Sequence, residues 1–257
     1  MLAVTLLSLF VACVEIPAEV APPTLESQSL LALQRFYEDD ATEQIETLID
    51  LVADEVGDEA GGFYFEPLTP EDVEMFEHSD AAIWEHTAGC ATFSKMRGTV
   101  AQYATSVPEA DQSFPHETYK LWSREITGGT EAEFLAGGPL DTWNEVEKEG
   151  FAFTVAYGMD KDYRWIGDDT LAMISLVPEG EQPIDAFGTE LVVGFTIELW
   201  TEIDGELVWY NGSWTEIESP LDEDTVDIEW WLDQLIDGTI DYFEGTELHV
   251  MGEEVVE

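Results

Sequence analysis

Three tryptophans and two glutamates crowd the stretch ELWTEIDGELVWYNGSWTEIES: Trp200, Glu202, Trp209, Trp214 and Glu216. Aromatic faces bordered by carboxylates suit the stacking of flat sugar faces, with the carboxylates accepting hydroxyl hydrogen bonds. They also attract organic cations through the ring quadrupole. The competing arrangement is a cross-strand aromatic ladder covered by a helix, which stabilises a sheet by a few tenths to about 1 kcal/mol per pair. If Glu202 and Glu216 flank Leu207 on alternate strands, their backbones sit about 9–10 Å apart. That is close to the upper separation of an inverting glycosidase pair.

The other chemistry-bearing residues form weaker patterns. His86 and Cys90 are four apart, as on one helix face, with His78 nearby, but Gly89 argues against a helix there and no recognised zinc spacing is present. The acid-rich segments 159–169 and 221–229 attract cations without matching the calcium loop of an EF-hand. No GxSxG, HExxH or phosphate-cradling glycine loop occurs, so neither a cofactor nor a bound metal is expected.

The elements that must position the tryptophans follow from turn chemistry. Asp204-Gly205 and Asn211-Gly212 are both dipeptides that favour two-residue type I′ hairpins, and together they predict a three-stranded meander over 190–219. The resulting register sets Trp200 against Trp209 and Trp209 against Trp214, three rings abreast. Alternation puts Phe195, Ile197, Leu199, Ile203, Val208, Tyr210 and Ile217 on the other face, the expected core side.

Period-two alternation also marks 150–158 and 170–177 as strands, with a polar turn over 159–165 between them. Helical spacing appears at Leu30, Leu31, Leu33 and Phe36, and again at Ile45, Leu48, Ile49, Leu51 and Val52. Thr69-Pro70 has the form of a helix start, an N-cap followed by proline at the first helical position. Near the C-terminus, Ile228, Trp231, Leu232 and Leu235 define an amphipathic helix that Gly238 ends or interrupts. The fold class is α+β: N-terminal helices, a largely antiparallel sheet with a hairpin meander, and a C-terminal amphipathic helix.

The 257 residues carry 57 Asp plus Glu against 8 Lys plus Arg, a net charge of −49. Nucleic acid, bound chiefly through Lys and Arg, is excluded as a partner. Self-repulsion at this charge weakens the compact state at low ionic strength, so the composition points to adaptation to a saline medium. With 45% hydrophobic residues the chain has ample material for a core.

The first residues, MLAVTLLSLFVAC, are apolar as far as Cys13 but far short of the roughly 20 needed to span a bilayer. The run Phe10-Val11-Ala12-Cys13 resembles the lipobox of bacterial lipoproteins. That resemblance implies cleavage before Cys13, acylation of its thiol, and, with Val14 following, an outer-membrane or cell-surface destination. Two or more acyl chains, at about 0.8 kcal/mol per buried methylene, anchor a protein stably. Cys90 then has no partner for an internal disulfide; an unmodified Cys13 would leave a Cys13–Cys90 bridge as the alternative. The expected organisation is a signal peptide over 1–12, a tether over 13–27 and one acidic domain over 28–257.

The reading that follows is a lipid-anchored, salt-adapted envelope protein with a non-enzymatic ligand- or partner-binding domain. Trp200, Trp209, Trp214, Glu202 and Glu216 are its candidate contacts for a glycan, a cation or an apolar ligand. A carrier of an apolar, lipid-like molecule under a curved sheet is the first alternative. A glycan-directed hydrolase using Glu202 and Glu216 is the second.

Overall fold

The computed structural model describes residues 23–37, 41–66, 68–69, 88–115, 118–149, 154–177, 182–184, 189–218 and 228–253. Cys13, His78, His86, His116, the helix expected after Thr69 and the start of the 221–229 segment lie outside the described residues.

Two helices open the described part of the chain, α1 (Leu25–Tyr37) and α2 (Thr42–Glu55). Their apolar residues recur at three and four, and Leu30, Leu33, Phe36, Ile45, Leu48 and Val52 are all buried together. Leu25, within the stretch expected as tether, joins the same core. Among the described residues nine strands follow: β1 (Gly61–Tyr64), β2 (Ala88–Met96), β3 (Tyr119–Gly128), β4 (Leu140–Glu149), β5 (Thr154–Ile166), β6 (Thr170–Val177), β7 (Gln182–Ile184), β8 (Thr189–Ile203) and β9 (Glu206–Glu218). A short helix α3 (Val100–Ser106) follows β2, a single turn α4 (Glu131–Phe134) precedes β4, and α5 (Ile228–Met251) comes last. The sheet is antiparallel throughout, in the order β1-β2-β9-β8-β6-β5-β4-β3, with β7 pairing β5 and β8 off that path.

The first expected hairpin forms. Asp204 and Gly205 have φ of 54° and 82°, the left-handed pair a type I′ turn requires, and the register sets Trp200 opposite Trp209. The second does not. Asn211-Gly212 lies inside β9, which pairs on both sides: Gly212 faces Ile197 of β8 and Ala91 of β2. The glycine serves packing here, because a Cβ on it would lie 2.7 Å from the Tyr210 hydroxyl. The Tyr210 ring covers the position and its hydroxyl reaches Ser29 of α1 at 2.5 Å, and such ring cover is a known remedy for a strand glycine.

Two further boundaries differ from expectation. Residues 159–165 are strand, and the turn falls at 167–169. Gly238 neither ends nor interrupts α5, which runs 24 residues; within a helix docked on a sheet, packing outweighs the roughly 1 kcal/mol propensity cost of glycine.

Alternation gives the sheet two apolar faces, each covered by helices. Phe195, Ile197, Leu199, Val208, Tyr210 and Ile174 pack under α1 and α2. Leu171, Met173, Trp200, Leu207 and Trp209 pack under α3 and α5. The sheet also curls. Strands β9 and β3 are five positions apart, about 24 Å in a flat sheet, yet Trp209 of β9 and Trp122 of β3 both touch Tyr242 of α5, with ring centroids 5.1 and 5.4 Å away.

Candidate binding site

The layer between the curled sheet and α5 is where polar chemistry is gathered. Period-two alternation on β5 turns Met159, Lys161 and Tyr163 inward and leaves Asp160 exposed. From β3 come Trp122 and Arg124, from β4 Thr142 and Asn144, from β8 Glu198 and Trp200, and from β9 Trp209. Helix α5 contributes Tyr242 and Phe243, and α3 contributes Tyr103.

These groups form two linked sets. Trp122 Nε1 and Arg124 Nε donate to Asn144 Oδ1 at 3.2 and 2.8 Å, and Asn144 Nδ2 donates to Thr142 Oγ1 at 3.0 Å. Arg124 Nη1 also donates to the Val107 carbonyl. In the second set Trp209 Nε1 donates to Glu198 Oε2 at 3.0 Å, while Lys161 Nζ stands 3.7 Å from Glu198 Oε1 and 5.2 Å from the Trp122 ring centroid. Two of the chain's eight cationic side chains are thus buried in the interior instead of offsetting the acidic surface.

Burial sets the protonation states. It pushes the Lys161 ammonium down to about 8, against the opposing pull of Glu198. It pushes the phenols of Tyr157 and Tyr163 up to about 12, and that of Tyr242 well above its ordinary value with Glu198 adding to the effect. At neutral pH the tyrosines are therefore un-ionised hydrogen-bonding groups.

Most of the interlayer space is filled by rings. Trp209 stacks on Phe243 at 4.3 Å and lies 4.8 Å from Trp200. Between the layers lies a cavity of about 20 Å³, bordered by Tyr103, Gln112, Arg124, Trp200, Trp209 and Tyr242. Among the described residues neither the Tyr103 hydroxyl nor the Trp200 indole N–H has a hydrogen-bond partner, although both are buried. On the opposite face a more open groove of about 430 Å³ runs between Leu25, Leu51, Phe63 and Phe65, rimmed by Glu26 and Glu66.

The sequence-derived contacts are redistributed by this fold. Trp200 and Trp209 pair as expected, but 4% and 0% exposure make them core, not platform. Trp214 lies on the far face, because β9 continues through Gly212; it stacks between Phe65 and Phe195 at 4.9 and 5.5 Å. Three rings abreast therefore do not form. Glu202 sits exposed beside the Asp204-Gly205 turn, whereas Glu216 pairs with Val193, nine residues further along β8 and about 30 Å away at strand rise. They do not flank Leu207 together, and the inverting-glycosidase spacing disappears.

Other candidates resolve as packing. Cys90 is buried and free, packed near Leu232 of α5, and burial pushes its thiol up to about 12. His249 stacks on Phe114 at 3.8 Å with Nε2 3.0 Å from Glu109. Asp160 and Asp162 lie on a regular strand instead of a cation-binding turn. Among the described residues no group of three or more His, Cys, Asp or Glu side chains is arranged to hold a metal, and no helix is long and apolar enough to cross a membrane.

Arg124, Lys161, Glu198 and Tyr242 were not apparent as site residues in the sequence. Met159, Lys161, Tyr163 and Trp165 alternate in MDKDYRW as strand residues do, but a lysine among aspartates reads as turn.

No family model matches the chain and no curated protein matches it in sequence. Solved structures do share its architecture. A STAR-related lipid transfer protein fragment from Xanthomonas axonopodis superposes with a TM-score of 0.50 at 6% identity, covering 77% of this chain and 96% of that one. Human StAR-related lipid transfer protein 5 gives 0.46 at 8% identity, over 86% and 96% of the two chains. At these identities the likeness to the first is one of fold: the chain has the α+β helix-grip architecture, a curled antiparallel sheet closed on a long C-terminal helix.

Proposed function

We propose that this chain is a ligand-binding carrier domain that holds an apolar, lipid-like molecule between the sheet and α5. The observation that carries the reading is the way α5 is seated. It lies across the curled sheet for 24 residues, yet over 232–251 it buries only Leu232, Phe243, Gly245 and Thr246. Lifting it uncovers Trp209, Trp200 and the Lys161–Glu198 pair, so an apolar ligand has to replace the contacts that α5 gives up. Beneath it lie the broad faces of Trp209 and Trp200 and the ring of Trp122, a surface that welcomes an acyl chain or a flat apolar skeleton once Tyr242 and Phe243 withdraw. The fold supports the same reading, since the Xanthomonas neighbour is described as a lipid transfer protein.

Uptake requires opening. Pockets for small molecules run to about 300–1,000 Å³, far above the 20 Å³ present under α5. The buried polar network remains as the floor of the opened site and orients the polar end of the ligand. The envelope setting expected from Cys13 belongs to the same proposal: a tethered, acid-coated carrier that exchanges ligand beside a membrane, for which mass spectrometry of the mature N-terminus is the check.

The test is extraction. The chain with Cys13→Ser, which cannot be acylated and so stays off the membrane, is incubated with vesicles of mixed lipid extract, the vesicles are sedimented, and the soluble protein is assayed by mass spectrometry. Recovery of lipid at close to one molecule per chain is expected. Soluble protein that carries no lipid over a buffer control overturns the carrier reading.

A further inference from the structure

The groove between the N-terminal helices and β1 has a chemistry of its own, independent of the carrier reading. At about 430 Å³ it falls within the roughly 300–1,000 Å³ of small-molecule pockets, with no movement of the fold required. Its floor is apolar: Leu25 from α1, Leu51 from α2, and Phe63 and Phe65 from β1 and the residue just past it. The two phenylalanines meet edge to face with centroids 5.9 Å apart, and Phe65 stacks on Trp214 at 4.9 Å, so core packing fixes this wall. The rim is acidic, and its carboxylates come from three places in the chain: Glu26 in the first turn of α1, Asp54 and Glu55 in the last turn of α2, and Glu66 after β1. The pair on α2 is badly placed for the helix. A helix C-terminus carries unbonded carbonyls and the negative end of the dipole, where cations stabilise and carboxylates do the reverse; yet the last turn of α2 holds these two acids and no basic residue. All eight Lys and Arg of the chain are among the described residues, and none of them lines the groove.

We infer that this groove binds a monovalent organic cation with an apolar body, an alkyl- or arylammonium, with its charge among the rim carboxylates and its body on the Phe63 and Phe65 floor. Charge decides against the other occupants. The segments outside the described residues carry no Lys or Arg, so none of them brings the missing positive charge. A second copy, at a net −49, is repelled. A metal ion fits no better, since among the described residues no three carboxylates are arranged to hold one. An ammonium with a ring or branched chain uses both parts of the groove: its charge offsets the acids at the end of α2, and its body covers apolar surface beside rings whose faces attract cations. Small cations screen the whole surface of so acidic a chain; the groove differs in that its affinity depends on the apolar body.

The experiment is isothermal titration calorimetry of the full-length chain carrying Cys13→Ser, at fixed ionic strength, with three probes. Benzyltriethylammonium has charge and body, tetramethylammonium has the charge without the body, and phenylpropionate has the body with the opposite charge. Saturable one-to-one binding is expected for the first alone. Glu55→Gln with Glu66→Gln, both at exposed positions, is expected to weaken it about fivefold or more, since one exposed ionic contact is worth up to about fivefold. Glu125→Gln with Glu145→Gln removes the same charge from exposed positions on β3 and β4, at the other end of the sheet order, and is expected to weaken it less than about twofold, the share of the general field. Phe63→Leu, which removes a ring face, is expected to cost about twofold or more; if that variant fails to fold, the two glutamine pairs still decide. Tetramethylammonium bound as tightly as benzyltriethylammonium, saturable binding of phenylpropionate, or equal losses in the two glutamine pairs overturns the proposal. So does the lack of saturable binding by any probe.

Discussion

Lys161 Nζ lies 3.7 Å from Glu198 Oε1 with 4% and 5% of the two side chains exposed, an ion pair sealed between the sheet and α5. Removing one partner of such a pair leaves the other charge buried, which typically costs about 3–5 kcal/mol, whereas replacing both is often neutral or better. Lys161→Met is therefore expected to destabilise the chain by about that amount, and Lys161→Met with Glu198→Gln to recover most of it, since Gln retains an acceptor for Trp209 Nε1. Denaturant unfolding of the three proteins checks this; a double variant as weak as the single one refutes it.

The same lysine sets a pH dependence. Its ammonium is depressed to about 8 in the folded chain from an ordinary 10.5. Between those values the unfolded chain holds more protons, so stability rises with pH from about 8. Above about 9 the buried Cys90 thiol, and above about 10 the buried phenols of Tyr157 and Tyr163, all raised to about 12, work the other way, because the same groups ionise first in the unfolded chain and stability falls again. Thermal melts are expected to show a maximum between these limits, and the rise above pH 8 is expected to vanish in the Lys161→Met/Glu198→Gln variant.

Asp162 gives the opposite slope in acid. It faces Asp141 across β4 and β5, and burial with that neighbour raises it to about 6 despite Arg164. The folded chain then binds the proton more tightly than the unfolded one, so this residue's stabilisation is full below about pH 4 and is lost as pH climbs through 6. Subtracting the melting profile of Asp162→Asn from that of the intact chain isolates the effect. A difference that is flat from pH 4 to 6 contradicts the assignment.

Trp209 and Trp214 are both fully buried, but on opposite faces of β9. Trp→Phe at either site is expected to cost about 1–3 kcal/mol in unfolding, on the scale of large-to-smaller core changes. Only Trp209→Phe is expected to change lipid extraction, since Trp214 packs with Phe65 and Phe195 under the other helical layer. Equal effects of the two on extraction would place the ligand elsewhere.

With a net charge of −49, stability is expected to climb as salt is raised from 0.01 to 1 M, over which the Debye length falls from about 30 to about 3 Å. A melting temperature unchanged across that range removes the case for salt adaptation.

Much of this architecture was legible in the sequence because the physics was local. Ile45, Leu48 and Val52 write helix α2 by spacing alone, and Asp204-Gly205 writes the β8–β9 turn because few other residue pairs accept two left-handed φ values. Asn211-Gly212 carries the same local preference and loses to long-range pairing: β9 bonds to β2 and β8 along its length, and the Tyr210 ring covers the glycine. The site failed for a related reason. Lys161 and Arg124 are inward-facing charges, and only the tertiary neighbours Glu198 and Asn144, far off in the chain, make their burial tolerable.

The central claim, that ligand is held between the sheet and α5, is tested most directly by a crystal structure of the chain after exposure to lipid vesicles. The account predicts continuous ligand density between Trp209 and α5, with Tyr242 and Phe243 displaced from that ring. Lipid density confined to the groove lined by Phe63 and Phe65, with α5 still seated on Trp209, would contradict it.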